Sequence, residues 1–293
     1  MSSSAAPYRP DRMLIGLLVT LATTQAEIQT HLFPACQRFL YMSVPPQGPD
    51  GPQFVQICQV YRGKARYVTL YDTLNRIPVY SAYTFKRSDG ATKVGVPWMY
   101  EPQLSTAVGS GEMQPLPQRE DLHERSDDAQ AALDDYRDTV DAVRGQLNPD
   151  AHQSDLDDKA ATYTLTNVVP QVKEFSEGPW AAQERVVRQR LNNYCLGAAY
   201  VVTGAAGTAG WRAMRRYDAD RVAVPDYVWS AYCCVDHDCN APYHEFTKFP
   251  AFASLGVNRE VNNDVQEMSV QQLQDFIKRV TGQTLKVFYL DCE

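Results

Sequence analysis

"VRGQLNPDAHQ", Val143 to Gln153, sets an arginine, a turn glycine, a glutamine and an Asn-Pro pair in immediate succession. Two segments follow it closely: "TLTNVVPQ" at 164–171 and "FSEGPWAAQE" at 175–184. From the residues alone, each has an ordinary reading. Arg144 serves as a solvated charge at a strand end, and Glu184 pairs with Arg188 one turn along a helix. Asn167 and Gln171 tie down the turn before that helix. What decides the fold is whether the three segments form one constellation.

The surrounding chain reads as α+β around an antiparallel sheet. "FVQICQVYRGKARYVTLYDTLNRIPVYSAYTFKR" is rich in β-branched and aromatic residues, with "TLNR" as a tight turn between "RYVTLYD" and "IPVYSAYTF". Residues 87–135 are polar, acidic and dotted with Gly and Pro, and read as a long surface excursion with one short helix near Asp127–Tyr136. "ATYTLTNVV" is a strand ended by Pro170. "GPWAAQERVVRQRLNNYCLG" is a helix with Pro179 at its first position and Gly197 at its stop. "AAYVVTG" and "VAVPDYVWSAYCCV" are strands. "SVQQLQDFIKRVTG" opens with a capping box at Ser269 and Gln272, and "LKVFYLDC" is a last strand. Strands dominate without a βαβ rhythm and without an internal repeat. "GAAGTAG" at 204–210 lacks the Lys-Ser/Thr ending of a phosphate loop and reads as a hairpin loop.

The chain has 293 residues and a formal net charge of -7, so affinity for nucleic acid has to rest on a local basic patch. Arg9 and Arg12 precede the apolar run "MLIGLLVTLATTQA", which closes on small residues. That pattern predicts a signal peptide over 1–26 and a secreted, extracellular domain over 27–293. The run is shorter than the roughly 20 residues a membrane span needs. In that compartment the seven cysteines read as disulfide chemistry, with one left over. Cys36 and Cys58 flank the loop "VPPQGPDGP" and are the expected first bridge; the others stay unpaired on sequence grounds. "CCVDHDC" at 233–239 offers zinc-type ligands, but neighbouring side chains on an extended backbone point to opposite faces, which favours disulfides.

With "PWMYEPQL", "RGQLNPDAHQ", "ATYTLTNVVPQ" and "VPDYVWSAYCC" added to the first hairpin, the chain resembles the DNA/RNA non-specific endonucleases. More closely, it resembles the branch of endonuclease domain-containing 1 proteins. The resemblance implies a ββα-metal (His-Me finger) nuclease fold, with nucleic acid as partner and Mg²⁺ or another divalent cation as cofactor. The family motif Asp-Arg-Gly-His falls on Val143, Arg144, Gly145 and Gln146, so the arginine and glycine agree. The base histidine is replaced by Gln146. The pattern Asn-x-Gly-x-Trp-x-x-x-Glu falls on Ser176, Gly178, Trp180 and Glu184, so the metal-binding asparagine is replaced by Ser176.

The resemblance therefore assigns catalytic positions to Gln146, Arg144 and Glu184, metal positions to Ser176 and Glu184, and phosphate contacts to Arg144 and Arg76. Gly145, Trp180, Cys36 and Cys58 are structural. Arg62, Lys64 and Arg66 share a hairpin with Arg76 and either line a phosphate groove or form a solvated face. A glutamine amide orients water but is not protonated near pH 7, and serine lacks the carbonyl dipole of asparagine. These losses favour a nuclease-fold protein of weak or absent catalysis that binds nucleic acid, over an active metal-dependent endonuclease. His152, six residues beyond Gln146, reads as structural rather than as a replacement base.

Overall fold

Alternation of aromatic and β-branched side chains over 54–84 produces a three-stranded meander in the computed structural model. The strands are β1 (Phe54–Tyr61), β2 (Lys64–Asp72) and β3 (Ile77–Thr84). The structure describes residues 34–292 except 107, 117–128, 138, 140–141 and 209–211. The expected signal peptide over 1–26 lies outside them. Arg62 and Gly63 both have left-handed backbones, the geometry a two-residue hairpin turn requires. At the next turn the Asp72 carboxylate accepts from the Leu74 and Asn75 amides and the Asn75 side chain.

After β3 the chain leaves the sheet. It forms β4 (Met99–Tyr100) against β5 (Gln114–Pro115), then β6 (Ala142–Gln146) against β7 (Val168–Val172). Between β6 and β7 runs a short helix, Leu156–Ala161, whose first amides are capped by the Asp155 carboxylate. A longer helix, Ala181–Tyr194, follows β7. The chain then rejoins the sheet as β8 (Ala199–Ala206), pairing directly with β3. β9 (Arg212–Arg216) and β10 (Ala219–Val224) form a separate hairpin. β11 (Tyr227–Cys234), β12 (Ala251–Val257) and β13 (Val265–Met268) complete an antiparallel sheet of order β1-β2-β3-β8-β11-β12-β13. The class is α+β, as the sequence predicts. The segment that leaves between two neighbouring strands carries β6, β7 and the 181–194 helix.

Period-two alternation divides the sheet between two cores. On β11, Trp229, Ala231 and Cys233 face one side and pack with Val270, Leu273 and Ile277 of a C-terminal helix, Val270–Thr281. Val228, Tyr232 and Cys234 face the other, among Phe175, Trp180, Val187 and Leu191. The adjacent cysteines follow the same rule. Cys233 bridges to Cys292 on one side, and Cys234 to Cys195 on the other. Cys36–Cys58 forms as expected, and Cys239 is exposed and unbridged. His237 stacks on Phe249 with ring centroids 5.2 Å apart, and among the described residues no three His, Cys, Asp or Glu side chains gather as a metal site.

Several boundaries differ from expectation. Residues 87–135 are more than a surface excursion, because Met99, Met113, Ala131 and Ala132 are buried. The helix expected near Asp127–Tyr136 is, where described, one tight turn at Leu133–Tyr136. Within "ATYTLTNVV" only Val168 onward is strand, because Ala160 and Ala161 end the preceding helix. Pro170 lies inside β7, its missing N–H tolerated in a two-stranded pair. The 181–194 helix stops at Tyr194, before Gly197, where the Cys195–Cys234 bridge holds Cys195 extended. In "GAAGTAG", Gly204–Ala206 belong to β8, and a Cβ on Gly204 would sit 2.3 Å from the Trp229 ring. "LKVFYLDC" forms one bridge at Lys286 with Gln47 and then a tight turn at Tyr289–Cys292. The capping box forms as predicted, with Gln272 N–H donating to Ser269 Oγ and Ser269 N–H to Gln272 Oε1.

Candidate functional site

β6 ends at Gln146, and close backbone packing dictates how. Gly145 faces the Gln171 side chain so tightly that a Cβ would lie 2.0 Å from Gln171 Cδ. Beyond Gln146 the chain turns under the control of Asn167, which is fully buried. Its amide donates to the carbonyls of Asn148 (3.0 Å) and Thr162 (2.9 Å). Its oxygen accepts from Asn148 N–H (3.0 Å) and Ser81 Oγ (2.9 Å). Asn167 thus ties down the turn after β6 and not the turn before the 181–194 helix that its sequence context suggests, and the Gln171 amide, expected to share that role, makes no hydrogen bond among the described residues.

Gln146 is held on the same scaffold. Its Nε2 donates to the Thr162 carbonyl at 3.0 Å and to Thr162 Oγ1 at 2.9 Å, while its Oε1 accepts a long bond from Asp150 N–H. Both amide protons are committed to protein. His152 is buried between Tyr83 OH, 2.9 Å from Nδ1, and the Glu184 carbonyl, 3.1 Å from Nε2. A carbonyl only accepts, so Nε2 carries the proton and Nδ1 accepts from the tyrosine. Burial pulls the His152 pKa down to about 4. The ring is neutral at working pH, with both nitrogens engaged. It is a structural pin.

The carboxylate side of the site centres on Asp150 and Glu184. Asp150 is buried and accepts from Lys93 Nζ at 2.9 and 3.2 Å and from Tyr163 OH at 2.8 Å; Lys159 Nζ donates to its carbonyl. Burial pushes the Glu184 carboxyl up to about 8, and the Asp150 charge adds to the shift. The Trp180 indole, Lys93 and Arg188 oppose it. No ion pair joins Glu184 to Arg188 among the described residues. Arg188 instead lies where a Cβ on Gly90, in the loop after β3, would stand. Ser176 begins a wide helical turn, Ser176–Trp180, that bends at Gly178 and leads into the 181–194 helix. Phe175 and Trp180 pack 5.6 Å apart against β12, where a Cβ on Gly256 would lie 2.6 Å from the Phe175 ring.

These donors do not fit a tightly held divalent ion. They comprise one neutral hydroxyl and a single carboxyl, while the neighbouring Asp150 charge is already met by Lys93.

Arg144 is the site's accessible cation. Its guanidinium lies 4.8 Å from the Trp98 ring centre and 5.9 Å from that of Tyr136, and no acceptor pairs with it among the described residues. Desolvation lowers its pKa. The first hairpin contributes less. Arg62 and Arg66 are spent on Asp157 and Asp158, and Arg76 donates to the Leu74 and Arg221 carbonyls at the β2–β3 turn, which ties it to β10. Asp150, Lys93, Tyr163 and Trp98 were not foreseen as site residues. Asp150 stands inside the opening motif, whereas Lys93 and Trp98 belong to the segment read as surface.

A hydrogen-bonded polar chain links this turn to a second buried acid. From Asn167 it runs through Ser81, Thr69, Gln59 and Thr166 to Glu101. Burial raises the Glu101 pKa to about 8, with Thr164 and Thr166 opposing. A carboxyl raised in the folded state contributes fully below its unfolded pKa, and that contribution is lost as pH climbs towards the folded value. The natural chain should therefore lose stability against Glu101→Gln between about pH 5 and 8. Thermal melts across that window should show the two Tm curves diverging; parallel curves would contradict a buried neutral Glu101.

Comparison with known proteins agrees with this architecture. Residues 53–286 match the family model described as DNA/RNA non-specific endonuclease. The chain is 34% identical over 210 residues to the human endonuclease domain-containing 1 protein, covering 69% of this chain and 39% of that one. The mouse protein of the same name is 32% identical over 228 residues, covering 75% and 43%. The chain thus spans about two fifths of the length of these relatives. A chain of the crystal structure of the EndoG/EndoGI complex superposes with a TM-score of 0.53 at 18% identity, covering 84% of this chain and 88% of that one. That likeness concerns the fold alone.

Proposed function

Because this chain belongs to the DNA/RNA non-specific endonuclease family, we propose that it is a nuclease-fold protein that binds nucleic acid and cleaves it weakly or not at all. The observation that carries the reading is the state of Gln146. Its amide protons are fixed on Thr162, and His152, the imidazole six residues further along the chain, has both nitrogens engaged. No group at the motif's base position takes a proton from water near pH 7. Arg144 keeps its N–H donors for a phosphate oxygen while its planar face rests on Trp98.

The divalent cation expected from the family would be met here by Ser176 and Glu184. It would supply charge neutralisation at the phosphate, and a donor set of one hydroxyl and one carboxyl, with Asp150 already paired to Lys93, argues for weak retention. Secretion after removal of residues 1–26 belongs to the same proposal and rests on the sequence pattern of that segment. No helix of the described residues is long and apolar enough to cross a membrane.

A plasmid-nicking assay with Mg²⁺ or Mn²⁺, run beside an oligonucleotide-binding titration at low salt, tests the reading. Binding without nicking, with affinity reduced about tenfold in Arg144→Ala, is the expected pair of results, since a hydrogen bond to a charged group contributes about 1.5–3 kcal/mol. Robust nicking by the natural chain, abolished in Arg144→Ala, would establish the active enzyme instead.

A further inference from the structure

Aromatic rings border the accessible arginine, and the family motif does not account for them. Trp98 lies between two partners: the Arg144 guanidinium at 4.8 Å and the Tyr163 ring at 5.3 Å, tilted by 54°. Both rings are partly exposed. Tyr163 is not free to rotate away, because its hydroxyl is anchored on the buried Asp150 carboxylate. Lys93 meets the same carboxylate from the solvent side, with its side chain 68% exposed. In order along the surface, the structure presents a guanidinium, an indole, a phenol and an ammonium.

A polynucleotide alternates the complementary features, an anionic phosphate and a flat base with a π-face. In a duplex the base faces are hidden in the stack, and an aromatic shelf gains nothing from them. On an unpaired strand each face is open, and stacking on an aromatic side chain contributes about 1–3 kcal/mol per base. Apolar contact alone would not need the cations, and phosphate binding alone would not need the rings. The combination fits a nucleotide with its base on the rings and its flanking phosphate at Arg144.

We propose that Trp98 and Tyr163 form a base-stacking shelf beside Arg144, and that the ligand of this site is single-stranded nucleic acid. The inference rests on the nucleic-acid reading above and specifies its substrate class. Trp98 acts twice. It supports the guanidinium in place and offers ring surface to the base.

Fluorescence anisotropy in EDTA, with three labelled probes of equal length, separates these contributions. The probes are an oligothymidylate, an abasic oligonucleotide and a duplex. The natural chain should hold the oligothymidylate about tenfold more tightly than either of the others. Trp98→Ala should erase that preference and, by releasing the guanidinium, lower the abasic affinity too, though by less than Arg144→Ala does, and Trp98→Phe should restore most of both. Arg144→Ala should weaken all three probes. Equal affinity of the natural chain for the oligothymidylate and the abasic probe overturns the shelf and leaves phosphate binding standing. Binding of none of the probes overturns the nucleic-acid reading itself, and the shelf with it. The natural-chain comparison needs no variant, so it decides the matter even where Trp98→Ala fails to fold.

Discussion

Gln146→His combined with Ser176→Asn is expected to raise plasmid nicking in Mg²⁺ about 10²–10⁴-fold over the natural chain, the range general-base catalysis typically supplies. The argument starts from proton inventory. Gln146 commits both amide protons to Thr162 and cannot store another at neutral pH. A histidine there has the same Thr162 carbonyl available for one ring N–H. A bond of that kind fixes the tautomer and leaves the second nitrogen as acceptor for a water proton. Asparagine at 176 adds a carbonyl oxygen where a hydroxyl stands now, in a turn already shaped by Gly178 and Pro179. The gain should vanish when Arg144→Ala is added. A folded double variant that does not cut would show that Gln146 and Ser176 do not occupy the motif positions assigned to them. A natural chain that cuts as fast as the double variant would remove the reason for calling catalysis weak.

Local chemistry explains which parts of this architecture were legible. The β1–β3 meander and the C-terminal helix announce themselves through alternation and a capping box, signals contained in a few consecutive residues. Cys233 and Cys234 follow from strand geometry alone, which sends neighbours to opposite faces. For the candidate site, the sequence points only to the segments that a motif spans, from Arg144 to Gln146 and from Ser176 to Glu184. Lys93, Trp98 and Tyr163 escaped because nothing local distinguishes them. Lys93 and Trp98 reach Asp150 and Arg144 from a Gly- and Pro-dotted loop tens of residues away, and Tyr163 meets Asp150 at a separation of 13 residues within the β6–β7 connection. The same non-locality hid the burial of Met99 and Met113, which composition had assigned to the surface. Pro170 misled in the opposite direction, since a proline ends a strand only where its missing N–H is needed.

Asn167→Ala should destabilise the fold by about 3–5 kcal/mol, a large loss for one polar side chain. Asn167 is fully buried and serves four partners; truncation orphans the Asn148 amide and carbonyl and strips one bond each from Ser81 and Thr162. The Thr162 carbonyl keeps Gln146 Nε2 and the Ser81 hydroxyl keeps Thr69, so the loss falls mainly on the Asn148 amide and carbonyl. A buried group left unmatched costs about 1–3 kcal/mol, and partial relaxation within the network keeps the sum below the arithmetic total. Asn167→Asp sharpens the test. The carboxylate still accepts from Ser81 and from the Asn148 amide, but it faces two carbonyls with nothing to donate, so near-isosteric shape should not rescue stability. Gln171→Ala provides the contrast. Gln171 is equally buried, yet its amide makes no hydrogen bond among the described residues, and the expected loss comes from packing against Gly145 alone. Urea denaturation with the disulfides intact reads all three variants. Since Leu147 N–H donates to the Asn167 carbonyl and the next residues carry Gln146 into its Thr162 bonds, faster amide exchange should appear at 147 and 148 first. A midpoint for Asn167→Ala within about 1 kcal/mol of the natural chain would mean that the turn holding Gln146 is fixed by its backbone pairing with β7 and not by this side chain.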